Sequence, residues 1–240
     1  MSVWAVIVAG GSGKRFGRAG GKQLADSGGR PLLAVTLEAF ELAPSVDAVV
    51  LVCHPNRVEE YREACCVENS LPKVAAVVAG GSSRQESVRA GVASVPDDAD
   101  FIVVHDGARP LVTPEVIEES VDALRADPSL AGIVVGHPVY DTVKTVGPDA
   151  EVLGTADRST MWVAQTPQVF RASVLRAAIE SAEAGDMVAT DDASLVELSG
   201  GRVRMLEGPR ANIKVTVPED LAVVDALLMA RVRDHERGRR

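Results

Sequence analysis

The chain has 240 residues, of which 46% are hydrophobic and 25% charged, a balance that suits a globular protein with a sizeable core and excludes a disordered or fibrous class. A net charge of −9 disfavours a non-specific nucleic-acid surface, and no apolar stretch approaches the ~20 residues of a membrane helix, so neither nucleic acid nor membrane is an expected partner. Cys53, Cys65 and Cys66 have neither pairing nor ligand spacing and no leader pattern precedes the first strand, which points to a cytoplasmic protein without disulfide framework or zinc site.

Val3–Val8 is a continuous apolar run and reads as a buried strand. It leads into Ala9-Gly10-Gly11-Ser12-Gly13-Lys14-Arg15, with Lys22-Gln23 shortly after. Glycines at a strand end let backbone N–H groups close around phosphate oxygens, and Arg15 and Lys22 add positive charge where a polyphosphate would lie. The loop is not of the Walker type, because position 8 is Val and Arg15 follows Lys14. It also misses the dinucleotide fingerprint, since Phe16 stands where the third glycine belongs.

Further strands are expected at 47–53, 74–78, 101–104, 131–136 and 202–206, separated by helical stretches at 31–43, 56–65, 85–93, 114–126 and 171–183. In 114–126, Ile117, Val121 and Leu124 share one face, Thr113 suits the N-cap and Pro114 the first turn. Phe101-Ile102-Val103-Val104 is apolar throughout, as in a parallel strand covered on both faces. The alternation predicts an α/β fold with a doubly wound, mostly parallel, Rossmann-like sheet in a single domain spanning 1–240. One segment departs from it: residues 138–153 read as a β-hairpin turning at Gly147-Pro148-Asp149. Such a projection cannot bury both faces alone, so a dimerisation arm at about 138–158 is expected.

In an open α/β sheet, ligands bind beyond the carboxyl ends of the strands. Three polar clusters fall there: Gly10 to Arg15, Gly80 to Ser87, and His105-Asp106-Gly107-Ala108-Arg109-Pro110. Together they should form one cleft. Asp106 has the chemistry to hold the water shell of Mg²⁺ or a polyol hydroxyl. His105 is better suited to a structural hydrogen bond than to base catalysis. Asp157-Arg158 and Trp162-Val163-Ala164-Gln165-Thr166-Pro167-Gln168 form a second polar group, and Thr190-Asp191-Asp192-Ala193-Ser194 opens a helix. Lys214 stands in a short apolar strand within 212–216, where a lysine usually faces solvent. The basic tail from Arg231 to Arg240 reads as solvated cations at a helix C-terminus.

The ordered series AGGSGKR, GKQ, GGSSRQESV, HDGARP, DTVK, DR, AQTPQVF, TDDAS and NIKVT-PED resembles the 2-C-methyl-D-erythritol 4-phosphate cytidylyltransferase family from Ala9 to Leu221. The resemblance implies a nucleotidyltransferase fold, transfer of CMP from CTP to a small polyol phosphate with release of pyrophosphate, a divalent metal (Mg²⁺), and a homodimer built through the arm. It gives Arg15 and Lys22 the stabilisation of the transition state, and Arg158 and Lys214 the positioning of the attacking phosphate. Asp106, Arg109 and Thr142 fall on the substrate site and Gly81, Ser82 and Ser87 on the cytosine pocket. Ala9, Gly10, Gly11, Gly13, Gly107 and Thr166 complete the implied substrate contacts, with Asp106 the implied metal residue. Gly21 replaces a frequent proline, Gly10 a frequent alanine, and HDGARP a frequent HDAARP, none of which removes a charge. The chain is expected to lack the fused cyclase domain of some relatives. Ribitol-5-phosphate cytidylyltransferase shares much of the series, although HDGARP, RQESV and TDDAS lean toward the methylerythritol enzyme. A non-catalytic nucleotide-binding protein is disfavoured by the four cations, and an oxidoreductase by the failed fingerprint.

Overall fold

The computed structural model describes residues 1–11, 16 and 22–238, with the side chains at 232 and 234–238 outside that description. Among these residues β1 (Val3–Val8) precedes the two-residue strands β2 (Asp26–Ser27) and β3 (Arg30–Pro31), then α1 (Leu32–Leu42) and β4 (Ala48–Cys53). Next come α2 (Val58–Tyr61), β5 (Val74–Ala79), α3 (Arg84–Val92), β6 (Phe101–Asp106), α4 (Pro114–Ala126) and β7 (Gly132–Pro138). The hairpin strands β8 (Lys144–Val146) and β9 (Val152–Thr155) follow, then β10 (Trp162–Arg171), α5 (Ala172–Ala184), α6 (Asp192–Leu198), β11 (Val203–Glu207) and α7 (Glu219–Gly238). No helix among the described residues is long and apolar enough to cross a membrane.

The main sheet has seven strands in the order β11-β7-β10-β6-β1-β4-β5. Its apolar strands are covered on both faces because successive side chains point to opposite sides. Val3, Ala5 and Ile7 meet Leu33 and Phe40 of α1 and Ile117 and Val121 of α4. Val6 and Val8 belong to the opposite layer, with Val88 and Val92 of α3 and Leu175 and Ile179 of α5. Helix α3 sits so close to the sheet that a Cβ on Gly91 would lie 2.3 Å from Val6 Cγ1. Thr113 caps α4 as its sequence suggests, accepting from the Val116 N–H, with Pro114 in the first turn.

Three expectations need correction. Residues 162–171 form β10, antiparallel to both β6 and β7, whereas this stretch reads in sequence as a polar group. Its buried Gln165, Thr166 and Gln168 interrupt the apolar pattern that marks the other central strands. Residues 212–216 form no strand. Their backbone groups are instead taken by Ala108 O, which accepts from the Val215 N–H, and by side chains of Arg109 and Lys22. The helix expected at 56–65 is divided into a 3₁₀ turn at Pro55–Arg57, the short α2, and a π-helical turn at Arg62–Val67.

Strands β8 and β9 pair only with each other, in a two-stranded sheet apart from the main one. Gly147 N–H donates to Glu151 O across the turn, 2.9 Å. Val146, Val152 and Leu153 on this arm are all more than half exposed. At the other end of the fold, α7 closes a third core in which Leu221 and Val224 pack with Phe16, Leu32, Leu111 and Val215.

Candidate active site

The carboxyl ends of β1, β4, β5 and β6, neighbours in the sheet, open into one cleft of about 830 Å³. Gly10 and Gly11 enter it after β1, His54 and Asn56 after β4, Gly81, Ser82 and Ser87 after β5, and Asp106 at the end of β6. Lys22 and Lys214 line it from chain-distant loops. The polar strand ends expected to converge therefore do so.

The β5 wall is set by local chemistry. Ser83 is the N-cap of α3 and accepts from the Glu86 N–H at 3.1 Å, while the Glu86 carboxylate accepts from the Ser82 N–H at 2.8 Å. These reciprocal bonds satisfy donors at the helix start and shape the loop before it. Ser87 Oγ accepts from the Gly81 N–H at 3.2 Å, and no room remains for a side chain at Gly81, whose Cβ would lie 2.2 Å from Glu86 Cβ.

Asp106 is the centre of the charged network. Lys214 Nζ lies 2.9 Å and Arg109 Nε 3.4 Å from its Oδ2, and Arg84 Nε 3.3 Å from its Oδ1. Burial pushes this carboxyl up, but Lys214, Arg84 and Arg109 overcome it and hold it well below the usual carboxylate range. Arg109 in turn donates to Asn212 O at 2.8 Å, and Asn212 Nδ2 donates to Thr166 O at 2.8 Å. That chain of bonds ties β6, β10 and the Lys214 loop together.

His105 lies behind this network, fully buried, and burial pushes it down to about 3. It is a neutral ring with an assignable tautomer. Its Nε2 faces the Arg109 carbonyl, an acceptor only, at 3.4 Å and so carries the proton. Nδ1 therefore accepts from the Thr166 hydroxyl at 3.0 Å, and Thr166 Oγ1 accepts from the Asp106 N–H at 3.0 Å. The irregular pairing of β10 between Ala164 and Gln168 accommodates Thr166 at this inner position.

The remaining sequence-named residues divide into three groups. Ala9, Gly107, Arg109 and Thr166 do not line the cleft but brace it: Ala9 N–H donates to Val52 O, and Gly107 N–H to Val8 O. Thr142 and Arg158 are exposed at the arm, away from the cleft-lining set, and Arg158 Nη1 donates to Tyr140 O. Gly13 and Arg15 lie outside the described residues, as do Lys14 and Gly21.

Sequence reasoning missed several contributors, His54 and Asn56 after β4 among them. Arg84 lines the cleft and binds Asp106; it sits in the quoted GGSSRQESV motif, but its partners are distant in the chain. Phe16 packs into the α7 core at 1% exposure, visible in sequence only as the residue spoiling a glycine fingerprint. Arg231 was read as part of a solvated tail, yet Nη2 donates to Leu111 O at 2.6 Å.

No group of three His, Cys, Asp or Glu among the described residues could hold a metal ion. Asp106 is the lone carboxylate among the described residues lining the cleft, and three cations already engage it. With both its oxygens engaged, Asp106 offers a Mg²⁺ contact through water at most, and the ligands of such an ion would be waters and phosphate oxygens.

Comparison with known proteins agrees with this geometry. Residues 3–230 match the family described as IspD: 2-C-methyl-D-erythritol 4-phosphate cytidylyltransferase. The chain is 40% identical to the protein of that name from Geobacter metallireducens, over 97% of this chain and all of the relative. It is 42% identical to the one from Syntrophotalea carbinolica, over 95% of this chain and 97% of the other. Among solved structures, the Thermus thermophilus 2-C-methyl-D-erythritol 4-phosphate cytidylyltransferase superposes with a TM-score of 0.75 at 30% identity, covering 95% of this chain and 98% of that one. The 4-diphosphocytidyl-2C-methyl-D-erythritol synthase of Anaerococcus prevotii gives 0.82 at 26% identity, covering 95% and 96%. With a family match along almost its whole length and relatives above two-fifths identity, the chain belongs to the 2-C-methyl-D-erythritol 4-phosphate cytidylyltransferase family.

Proposed function

We propose that the chain transfers CMP from CTP to 2-C-methyl-D-erythritol 4-phosphate, releasing pyrophosphate. The observation that carries the chemistry is the convergence of Lys22, Arg84 and Lys214 on a cleft whose lone described carboxylate is Asp106. An oxygen of the substrate phosphate attacks the α-phosphorus of CTP, the new P–O bond forms, and the bond to the β-phosphate oxygen breaks. The attacking phosphate is already anionic near neutral pH, so no general base is needed. The neutral, buried His105 is consistent with that. What the protein must supply is alignment of two polyanions and positive charge where negative charge accumulates.

In this reading Lys22 faces the triphosphate, the role the resemblance also gives Arg15, while Lys214 faces the attacking phosphate and Gly81, Ser82 and Ser87 the base. Asp106 would hold Mg²⁺ through water, with the metal neutralising phosphate charge. The chain acts as one domain in the cytoplasm, where CTP is available and where its three buried free cysteines stay reduced. A second reading concerns assembly. Arg158 and Thr142 stand away from the cleft, on an arm with exposed apolar residues, so they complete the cleft of a second copy of the chain. Incubation with CTP, Mg²⁺ and either 2-C-methyl-D-erythritol 4-phosphate or ribitol 5-phosphate, followed by pyrophosphate release, tests the reaction. Turnover with the first and not the second is expected; turnover with neither would refute the assignment.

A further inference from the structure

The Asp191-Asp192 pair has no part in the reaction as derived above. Asp191 is accounted for locally: it caps α6, accepting from the Ser194 N–H at 3.0 Å, and takes a second bond from Gln168 Nε2 at 2.8 Å. Asp192 is not. Its side chain is 2% exposed and sits behind the cleft wall, with Oδ2 2.8 Å from Arg84 Nη2. The same guanidinium reaches forward, its Nε 3.3 Å from Asp106 Oδ1. Arg84 is thus held between a buried carboxylate behind and the cleft carboxylate in front. The adjoining Gln85 ties the start of α3 to the same region, donating to Met187 O at 3.0 Å and accepting from the Ala189 N–H at 3.2 Å.

We infer that Asp192 is a positioning residue for the transfer reaction, fixing Arg84 so that Arg84 in turn orients the Asp106 carboxylate. An arginine at the cleft wall has a long, rotatable stem, and an incoming triphosphate competes for its guanidinium. A second anchor out of reach of that triphosphate keeps the guanidinium on Asp106. Without it, Asp106 is held from the Oδ2 side alone, by Lys214 and Arg109. Burying a carboxylate is unfavourable unless it is paired, and an apolar residue of similar size serves packing as well. A purely structural pair can therefore be exchanged for apolar side chains without loss of turnover; a positioning pair cannot.

This inference rests on the reading that the cleft performs nucleotidyl transfer. Wild-type pyrophosphate release tests that reading, whereas only ratios of variant to wild type test the role of Asp192. The experiment measures kcat, KM for CTP and thermal midpoint for wild type, Asp192→Asn, Arg84→Met, and the double variant Arg84→Met with Asp192→Leu. In folded Asp192→Asn, kcat should fall on the order of tenfold or more, with KM for CTP much less affected, because misplacement of a reacting site costs rate steeply. In the Arg84→Met background, replacing Asp192 should cost no more than about twofold further, because its effect runs through Arg84. Wild-type-like kcat in folded Asp192→Asn overturns the inference, and so does an undiminished further loss in the Arg84→Met background. If Asp192→Asn does not fold, the double variant, which leaves no unpaired buried charge at either position, is compared with both wild type and Arg84→Met. Turnover on the order of tenfold or more below wild type and equal to that of Arg84→Met supports the inference; wild-type-like turnover, or a further loss beyond Arg84→Met, overturns it.

Discussion

Around Asp106, charges of both signs meet within one chain: three cations converge on one carboxylate, and Arg84 is shared with a second. The β8–β9 arm is the reverse case, with Val146, Val152 and Leu153 turned outward and its strands paired only with each other. The cleft end pairs the charges around Asp106 internally, because an unpaired charge at that depth would cost several kcal/mol. The arm leaves apolar surface for which the described residues offer no cover. One region therefore balances its buried charges within the chain, and the other leaves an apolar surface exposed.

Substitutions at the two regions should separate them. The largest effect is expected at the cations of the cleft. Lys22→Ala and Lys214→Ala should each lower turnover on the order of 10²–10³-fold while circular dichroism stays native, because each removes charge needed at the transition state. Near-normal turnover in either folded variant would place the chemistry elsewhere.

The comparison sharpens when the two regions are mutated in separate chains. Arg158→Ala and Lys22→Ala chains, each inactive alone, should recover up to about a quarter of wild-type turnover when mixed under subunit exchange. Half the dimers are then mixed, and each carries one intact site and one doubly defective site. No recovery despite demonstrated exchange would show that the arm does not complete its neighbour's cleft. A gentler probe is Leu153→Glu, which puts a charge on the exposed apolar face. It should shift the sedimentation coefficient from dimer toward monomer and leave the secondary structure intact. An unchanged coefficient would remove the arm from the interface.

The smallest effect expected is on stability against pH. Asp106 titrates lower when folded than its unfolded value of about 3.9, so its stabilising contribution is fully present above that value and is lost as pH falls below it toward the folded pKa. The thermal midpoint of Asp106→Asn, whose three cations lose their counter-charge, should lie below wild type at pH 7. The gap should narrow between about pH 4 and pH 3. A gap that stays constant would mean the three cations do not hold Asp106 down.

Much of this molecule is written locally. The runs Val3–Val8 and Phe101–Val104, the Thr113-Pro114 helix start and the helix opening at Asp191 were all legible, because hydrophobic period and capping depend on residues a few positions apart. The site was legible as a set of strand ends for a related reason: in a parallel sheet, the carboxyl ends of the strands share one edge.

What sequence alone could not decide was which distant groups meet. Strand β10 is concealed by buried polar residues whose partners come from other elements: Thr166 bonds His105 and Asp106, and Gln168 bonds Asp191 and the Ala193 N–H. Lys214 reads as a solvent-facing lysine until its loop, held by Ala108 O and Arg109, delivers it to Asp106. Arg84 and Asp192 are far apart in the chain and meet only because α3 and α6 lie on the same face of the sheet. Local pattern determined the elements and the edge where ligands bind. Long-range burial decided the charge network, because an ion pair between distant residues leaves no periodic trace and forms only when packing brings both partners out of water.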